Sequence, residues 1–248
     1  MSSPTNPMTA AEPGAEDADN QVVIARQAIL DENRAVFGYE LFDRSTATHS
    51  HTAASDAALL FNALCYAGSE ALGSKKIVFI NCTHESLAGG HLELVHPEKV
   101  VLEVPTLAAN ATPEQIEQLL PTLQALRTRG FRLAFSQDVL RRAYGSWLPL
   151  ANFIKLDMLA IKPELIEPLV KYVRANAQAT LIAEKVETAE QHERMAALGV
   201  KLFQGYWFAR PAMVKAQTIR PSQATIIQLI NLVRQQASTD EIEDLLKK

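Results

Sequence analysis

The chain has 248 residues, a formal net charge of −4 and 48% hydrophobic residues. That length suits one large domain or two small ones, a single β/α barrel needing about 250 residues, and the hydrophobic share suffices for a sizeable core. The slightly acidic balance, with no basic block or stripe, excludes an electrostatic nucleic-acid binder, so a phosphate-bearing ligand would need a local site. Cys65 and Cys82 lie in apolar surroundings without paired spacing, which argues against a disulfide framework or zinc site and for reduced, buried thiols. The N-terminus lacks a basic start followed by an apolar run, and no stretch is long and apolar enough to span a bilayer. The expectation is a soluble, cytoplasmic protein with no membrane partner.

Residues 1–20 are rich in Ala, Pro, Ser, Asp and Glu without an apolar period and read as a disordered tail. Val22 to Ala25 reads as a strand, Asp31-Glu32-Asn33 as a turn and Ala35 to Phe42 as the partner strand, with Glu40 at its end and Arg44 just beyond. Apolar residues at helical spacing predict a packing helix over 55–73. Ile77 to Ile80 is a buried strand that delivers Asn81, whose amide oxygen suits a hard divalent cation. Val100 to Leu102 repeats the arrangement and delivers Glu103.

Thr112 caps a helix with Pro113 at its first position and Gln115 three residues after the cap, running to Gly130. Phe131 to Phe135 is the next strand, ending in Ser136 and Gln137. Phe153 to Asp157 carries Lys155, and Leu181 to Ala183 ends in Glu184 and Glu187. In a parallel barrel, acids at such strand ends are candidate ligands or bases. Thr188 with Gln191 also forms a capping box, so part of this polarity serves equally well to start the helix that ends at Gly199. No histidine pair at metal-binding spacing, dinucleotide fingerprint, P-loop or nucleophile motif is present, and His49 and His51 read as loop residues.

The segments Ala183-Glu184-Lys185-Val186-Glu187-Thr188 and Gln204-Gly205-Tyr206-Trp207-Phe208-Ala209-Arg210-Pro211 resemble the end of an EAL domain, the barrel that hydrolyses cyclic di-GMP in bacteria. Lys185 and the Arg26-Gln27-Ala28-Ile29 opening resemble the subgroup fused to HDOD domains. The resemblance implies a TIM-like (β/α)8 barrel of EAL type with an antiparallel opening strand over 21–213. Residues 214–248 then form a C-terminal helical extension, with helices over 224–233 and from 239 that are similar to the start of an HDOD domain.

The same resemblance implies that Glu40, Asn81 and Glu103 are metal ligands, that Lys155 and Glu184 activate water, and that Arg44, Asp157, Glu187 and Gln204 lie at the nucleotide. Magnesium or manganese is the implied ion if a metal is bound, a metal-free site being the other expectation. At the family's paired Asp-Asp, however, this chain has Ser136 and Gln137, and the Gly-rich loop that follows is replaced by residues 139–145. Neither side chain carries the negative charge that would position metal and water. The expectation is therefore a degenerate EAL domain without turnover, acting in cyclic di-GMP signalling as a nucleotide sensor or through a protein partner or second copy of itself. The alternative is an active metal-dependent phosphodiesterase that makes linear pGpG, with Asp138 replacing the missing pair through a register shift or bulge.

Overall fold

Short apolar strands buried on both faces need a covered, edgeless sheet, and closure into a barrel supplies it. The computed structural model describes residues 23–43, 76–95 and 97–215. Within them the strands are β1 (Val23–Asp31), β2 (Val36–Asp43), β3 (Ile77–Asn81), β4 (Val100–Glu103), β5 (Arg132–Ser136), β6 (Phe153–Asp157), β7 (Thr180–Glu184), β8 (Leu202–Phe203) and β9 (Ala212–Lys215). The helices are α1 (His84–Leu87), α2 (Pro113–Thr128), α3 (Pro163–Asn176) and α4 (Ala189–Ala197). Strands β2 to β8 run parallel in sequence order, and β1 closes the ring antiparallel to both β2 and β8. The expected barrel with an antiparallel opening strand is the observed fold. Strand β9 adds to the outer edge of β1 and carries regular structure to Lys215, two residues beyond the expected barrel boundary.

The tail, the helix over 55–73, Arg44, His49, His51, Cys65 and the helices after residue 223 fall outside the described residues. Strand β1 is longer than its apolar start indicates, because Arg26 to Leu30 pair with β2 and Leu30 and Asp31 pair with β8. Its turn is fixed by Asp31 Oδ1, which accepts from the Asn33 and Ala35 backbone N–H groups at 2.9 and 2.8 Å. Both expected capping boxes form: Thr112 with Gln115 opens α2, and Thr188 with Gln191 opens α4. Gly130 and Gly199 follow these helices at φ 92° and 73°, a left-handed turn that residues with a Cβ adopt at a cost. Helix α3 was not singled out in the sequence; it starts on Pro163 and buries Ile166, Val170 and Val173 on one face.

The barrel interior is a layer made of Ile29, Phe79, Val101, Ala134, Phe153, Ile182 and Leu202, with Phe37, Phe79 and Phe153 in edge or tilted contact at 5.2–6.5 Å. Side chains on a strand alternate faces, so the residue two positions further along also points inward. From these core positions that rule yields Asn81, Glu103, Ser136, Lys155, Glu184 and Gln204. Strand β1 runs the other way, so there the same layer is reached two residues earlier, at Gln27, which pairs in register with Glu40. The polar layer at the mouth is thus a direct consequence of strand parity above an apolar plug.

On β2 the residue below Glu40 is Gly38, and a Cβ built there would lie 2.5 Å from the Ile77 carbonyl oxygen of β3. Gly38→Ala is expected to lower stability by about 1–3 kcal/mol, seen as an earlier urea midpoint; an unchanged midpoint would show that the β2–β3 seam can yield.

Candidate functional site

The inward layer converges on one ammonium. Lys155 Nζ lies 2.8 Å from Glu40 Oε2, 2.9 and 3.1 Å from the two oxygens of Glu103, and 3.1 Å from Glu184 Oε2. Lys155 and Glu40 are almost fully buried, at 5% and 4% exposure. Glu40 also accepts from Asn81 Nδ2 at 3.0 Å and from Gln204 Nε2 at 2.8 Å. Gln204 Nε2 reaches Gln27 Oε1 at 3.3 Å, and Gln27 Nε2 donates to the Ala209 carbonyl at 3.2 Å. Among the described residues the buried Gln204 Oε1 has no hydrogen-bond partner.

One cation shared by three acids leaves them in different states. Burial pushes Glu40 up, but the Lys155 charge and hydrogen bonds from Lys155, Gln204 and Asn81 outweigh it and hold its carboxyl below the ordinary value. Glu103 goes the other way: burial, then the Glu40 carboxylate, raise it to about 8 against the opposing pull of Lys155. Burial pulls Lys155 down, yet Glu103, Glu40 and Glu184 together hold it well above a normal lysine. Glu40 with Lys155 is thus the firmest ion pair of the floor, and Glu103 is the acid that takes up a proton most readily.

This cluster floors a cavity of about 930 Å³, also lined by Phe42, Cys82, Leu107, Phe135, Leu159 and Tyr206, a size in the range of small-molecule sites. The cavity receives Glu40, Asn81, Glu103, Ser136, Lys155, Glu184, Glu187 and Gln204 of the expected site residues. It does not receive Asp157, Gln137 or Asp138. Asp157 Oδ2 pairs with Lys185 Nζ at 2.5 Å, and its Oδ1 accepts from the Leu159 and Ala160 N–H groups at 2.8 and 3.2 Å. Gln137 Oε1 accepts from the Asp157 N–H at 3.1 Å, and Ser136 Oγ from the Asp138 N–H at 3.4 Å. Asp138 sits half-exposed on a 3-10 turn, 3.8 Å from Arg141. No bulge interrupts the β5–β6 pairing, where Ser136 stands in register with Lys155, so the register shift that would bring Asp138 inward is not seen.

The loop after β5 is a run of 3-10 turns, Gln137–Leu140, Arg142–Tyr144 and Leu148–Leu150. It buries Tyr144 and Trp147; the Tyr144 hydroxyl accepts from the Leu107 N–H at 2.9 Å, and Trp147 Nε1 donates to the Ile116 carbonyl at 3.2 Å. Gln27 was missed as a site residue because its place depends on β1 running antiparallel. Its signal was the parity of β1, two residues before the buried Ile29. The Lys185–Asp157 pair was also missed, since it joins two strand tips 28 residues apart.

Glu40, Asn81 and Glu103 are oxygen-bearing side chains of the kind a hard divalent cation takes, and all three line the cavity, from the consecutive strands β2, β3 and β4. In kind they fit magnesium or manganese. Their present orientation is set by the ammonium: Asn81 turns its nitrogen toward Glu40, and among the described residues no three His, Cys, Asp or Glu side chains form a metal-holding group.

Lys155→Met would leave three buried acids without their cation and is expected to cost about 3–5 kcal/mol at pH 8, measured by urea denaturation, with a smaller loss at pH 5. Because the folded Glu103 holds its proton to about pH 8 while an unfolded glutamate releases it near 4.5, its contribution is fully present below about pH 4.5 and is lost as pH rises through about 8. Glu103→Gln is therefore expected to flatten the decline in stability between pH 5.5 and 8.5; parallel wild-type and variant curves would contradict the protonated state.

Comparison with known proteins agrees with this geometry. The family model described as the EAL domain matches residues 83–211, just over half of the chain. The cyclic di-GMP phosphodiesterase CdgJ of Vibrio cholerae is 28% identical over 230 residues, which is 89% of this chain and 51% of CdgJ. The uncharacterised protein YuxH of Bacillus subtilis is 24% identical over 92% of this chain and 57% of its own length. This chain thus spans little more than half of these relatives. Among solved structures, Bacillus subtilis YkuI, with an EAL domain, in complex with substrate cyclic di-GMP and calcium, superposes with a TM-score of 0.59 at 20% identity, covering 86% of this chain and 61% of YkuI. Klebsiella pneumoniae BlrP1 in a manganese and cyclic di-GMP complex superposes with a TM-score of 0.57 at 23% identity, covering 82% and 58%. The fold, the matched segment and the inward polar layer lead to one conclusion: this chain belongs to the EAL domain family.

Proposed function

We propose that this EAL barrel binds cyclic di-GMP at its mouth without hydrolysing it, and that it transmits the bound state through protein contact. The observation that carries this reading is the end of β5. Ser136 and Gln137 bring no charge to the site, and both side chains hold backbone N–H groups of the adjoining turn and strand. Phosphodiester hydrolysis depends on charge placed where it develops and on a fixed attacking water. Here Asp138, the acid that follows in sequence, is half-exposed and lies 3.8 Å from Arg141.

Binding is supported by the cavity volume, by the polar layer of Asn81, Lys155, Glu184 and Gln204 on its floor, and by the unpartnered Gln204 Oε1, an acceptor that a ligand donor would satisfy. A magnesium or manganese ion, when bound, would neutralise phosphate charge, and Glu40, Asn81 and Glu103 are the residues that would hold it. Output by protein contact is supported by Leu165 and Tyr172, exposed at seven-residue spacing on α3. The assignment to the HDOD-fused subgroup rests on Lys185 and the Arg26 to Ile29 opening. No helix of the described residues is long and apolar enough to cross a membrane, and we place the protein in the cytoplasm.

The second reading, an active phosphodiesterase, is favoured by Glu40, Asn81, Glu103, Lys155 and Glu184 standing together and by the name of the relative CdgJ. Calorimetric titration with cyclic di-GMP, in magnesium or manganese and again in chelator, separates the two when joined to chromatography of the products. The expected result is saturable binding with a Kd of about micromolar, roughly 8 kcal/mol, and no linear pGpG after hours. Metal-dependent turnover that is lost in Glu40→Ala would replace this proposal with the enzyme reading, and no saturation up to about millimolar nucleotide would end both.

A further inference from the structure

An anionic ligand entering this cavity meets a mouth rich in like charge. The lining carries Glu40, Glu103, Glu184 and Glu187 against Lys155 and Lys185. Lys155 is enclosed by three carboxylates and cannot turn outward without leaving them unpaired. His84 has its Nε2 engaged with the Pro105 carbonyl at 2.8 Å. Among the described lining residues, Lys185 is therefore the cation with an exposed side chain, 55% accessible and paired with a single carboxylate, Asp157.

The backbone supports this placement. Lys185 has φ 56°, in the left-handed region, where a residue with a Cβ is strained. The turn is held from both sides, by the Met158 N–H on the Glu184 carbonyl and by the Val186 N–H on the Gln204 carbonyl, each at 3.0 Å. Gly205 packs so closely on this turn that a Cβ there would fall 2.1 Å from the Val186 carbonyl oxygen. The strained turn sets the lysine stem at the cavity wall, with its ammonium resting on Asp157. Asp157 keeps two backbone donors on Oδ1 whether or not Lys185 stays on Oδ2, so the pair can open while the loop after β6 retains its anchor.

We infer that Lys185 is the anion-contacting residue of this cavity, leaving Asp157 for a phosphodiester oxygen of the ligand, with Asp157 as its resting counter-ion and not a ligand contact. This rests on the reading of the cavity as a cyclic di-GMP site. The test is calorimetric titration of the full chain at low salt with cyclic di-GMP and, as a separate anion probe, inorganic pyrophosphate, together with thermal melts of each variant. Lys185→Gln is expected to weaken nucleotide binding about ten-fold and Lys185→Arg to restore it to within about three-fold. Asp157→Asn, which removes the competing carboxylate, is expected to tighten binding several-fold. A purely structural pair would differ at the carboxylate, with Asp157→Asn weakening binding as Lys185→Gln does and both losses following the fall in melting temperature, and that would overturn the inference. Nucleotide binding indifferent to both substitutions would also overturn it while leaving the nucleotide reading intact. Lys185-dependent binding of pyrophosphate without nucleotide binding would sink the nucleotide reading and keep the anion site, and binding of neither probe would sink both.

Discussion

The mouth of this barrel depends on a single buried ammonium. Lys155 stands within 3.1 Å of Glu40, Glu103 and Glu184, which arrive from three different strands. Without it, three acids in a poorly solvated layer would repel one another and give up their charge by taking protons. With it, Glu40 remains ionised, gathers Asn81 and Gln204, and through Gln204 reaches Gln27 on the antiparallel strand. One charge thereby ties β1, β2, β3, β4, β6, β7 and the end of β8 into a common polar floor. Burial, and then the Glu40 carboxylate, push the Glu103 carboxyl up to about 8 against the pull of Lys155, which makes the floor sensitive to pH.

Strand β5 stands apart from this network. It contributes Ser136 at the same level as Lys155, but a short hydroxyl carries no charge and here caps its own 3-10 turn. Gln137 takes the next position and binds the backbone of β6 instead of facing the cavity. The segment that follows buries Tyr144 and Trp147 against α2 and the Leu107 backbone. That stretch therefore behaves as a packed wall, fixed by aromatic burial and by hydrogen bonds to main chain. None of residues 137–150 lines the cavity, so this stretch supplies no charge to a reaction that needs it on that side.

Lys185 and Asp157 show the same economy at the rim. The strand tips of β6 and β7 are held by an ion pair on one carboxylate oxygen and by two backbone N–H groups on the other. The cation is thus placed where it meets whatever enters, and the carboxylate is turned out of the cavity.

Much of this was legible in the residues alone. Apolar triplets followed by Asn81, Glu103 or Glu184 marked strand ends, and both capping boxes and the glycines after α2 and α4 marked helix limits, because these signals are local and follow from backbone geometry. Strand parity then put the right side chains on the inward face. Helix α3 was passed over, although Pro163 and the spacing of Ile166, Val170 and Val173 carried its signal. What no local pattern contains is partnership across the ring. That Lys155 would neutralise three acids, that Gln27 would join them, that Asp157 would face Lys185 and that Gln137 would serve a backbone were decided by closure of the barrel. Closure sets which strand tips meet, and electrostatics in the buried layer then chooses among them. The amino-acid sequence by itself determined the strands, their inward faces and the kinds of group at the mouth; only the tertiary structure decided which of those groups neutralise one another and which remain open to a ligand.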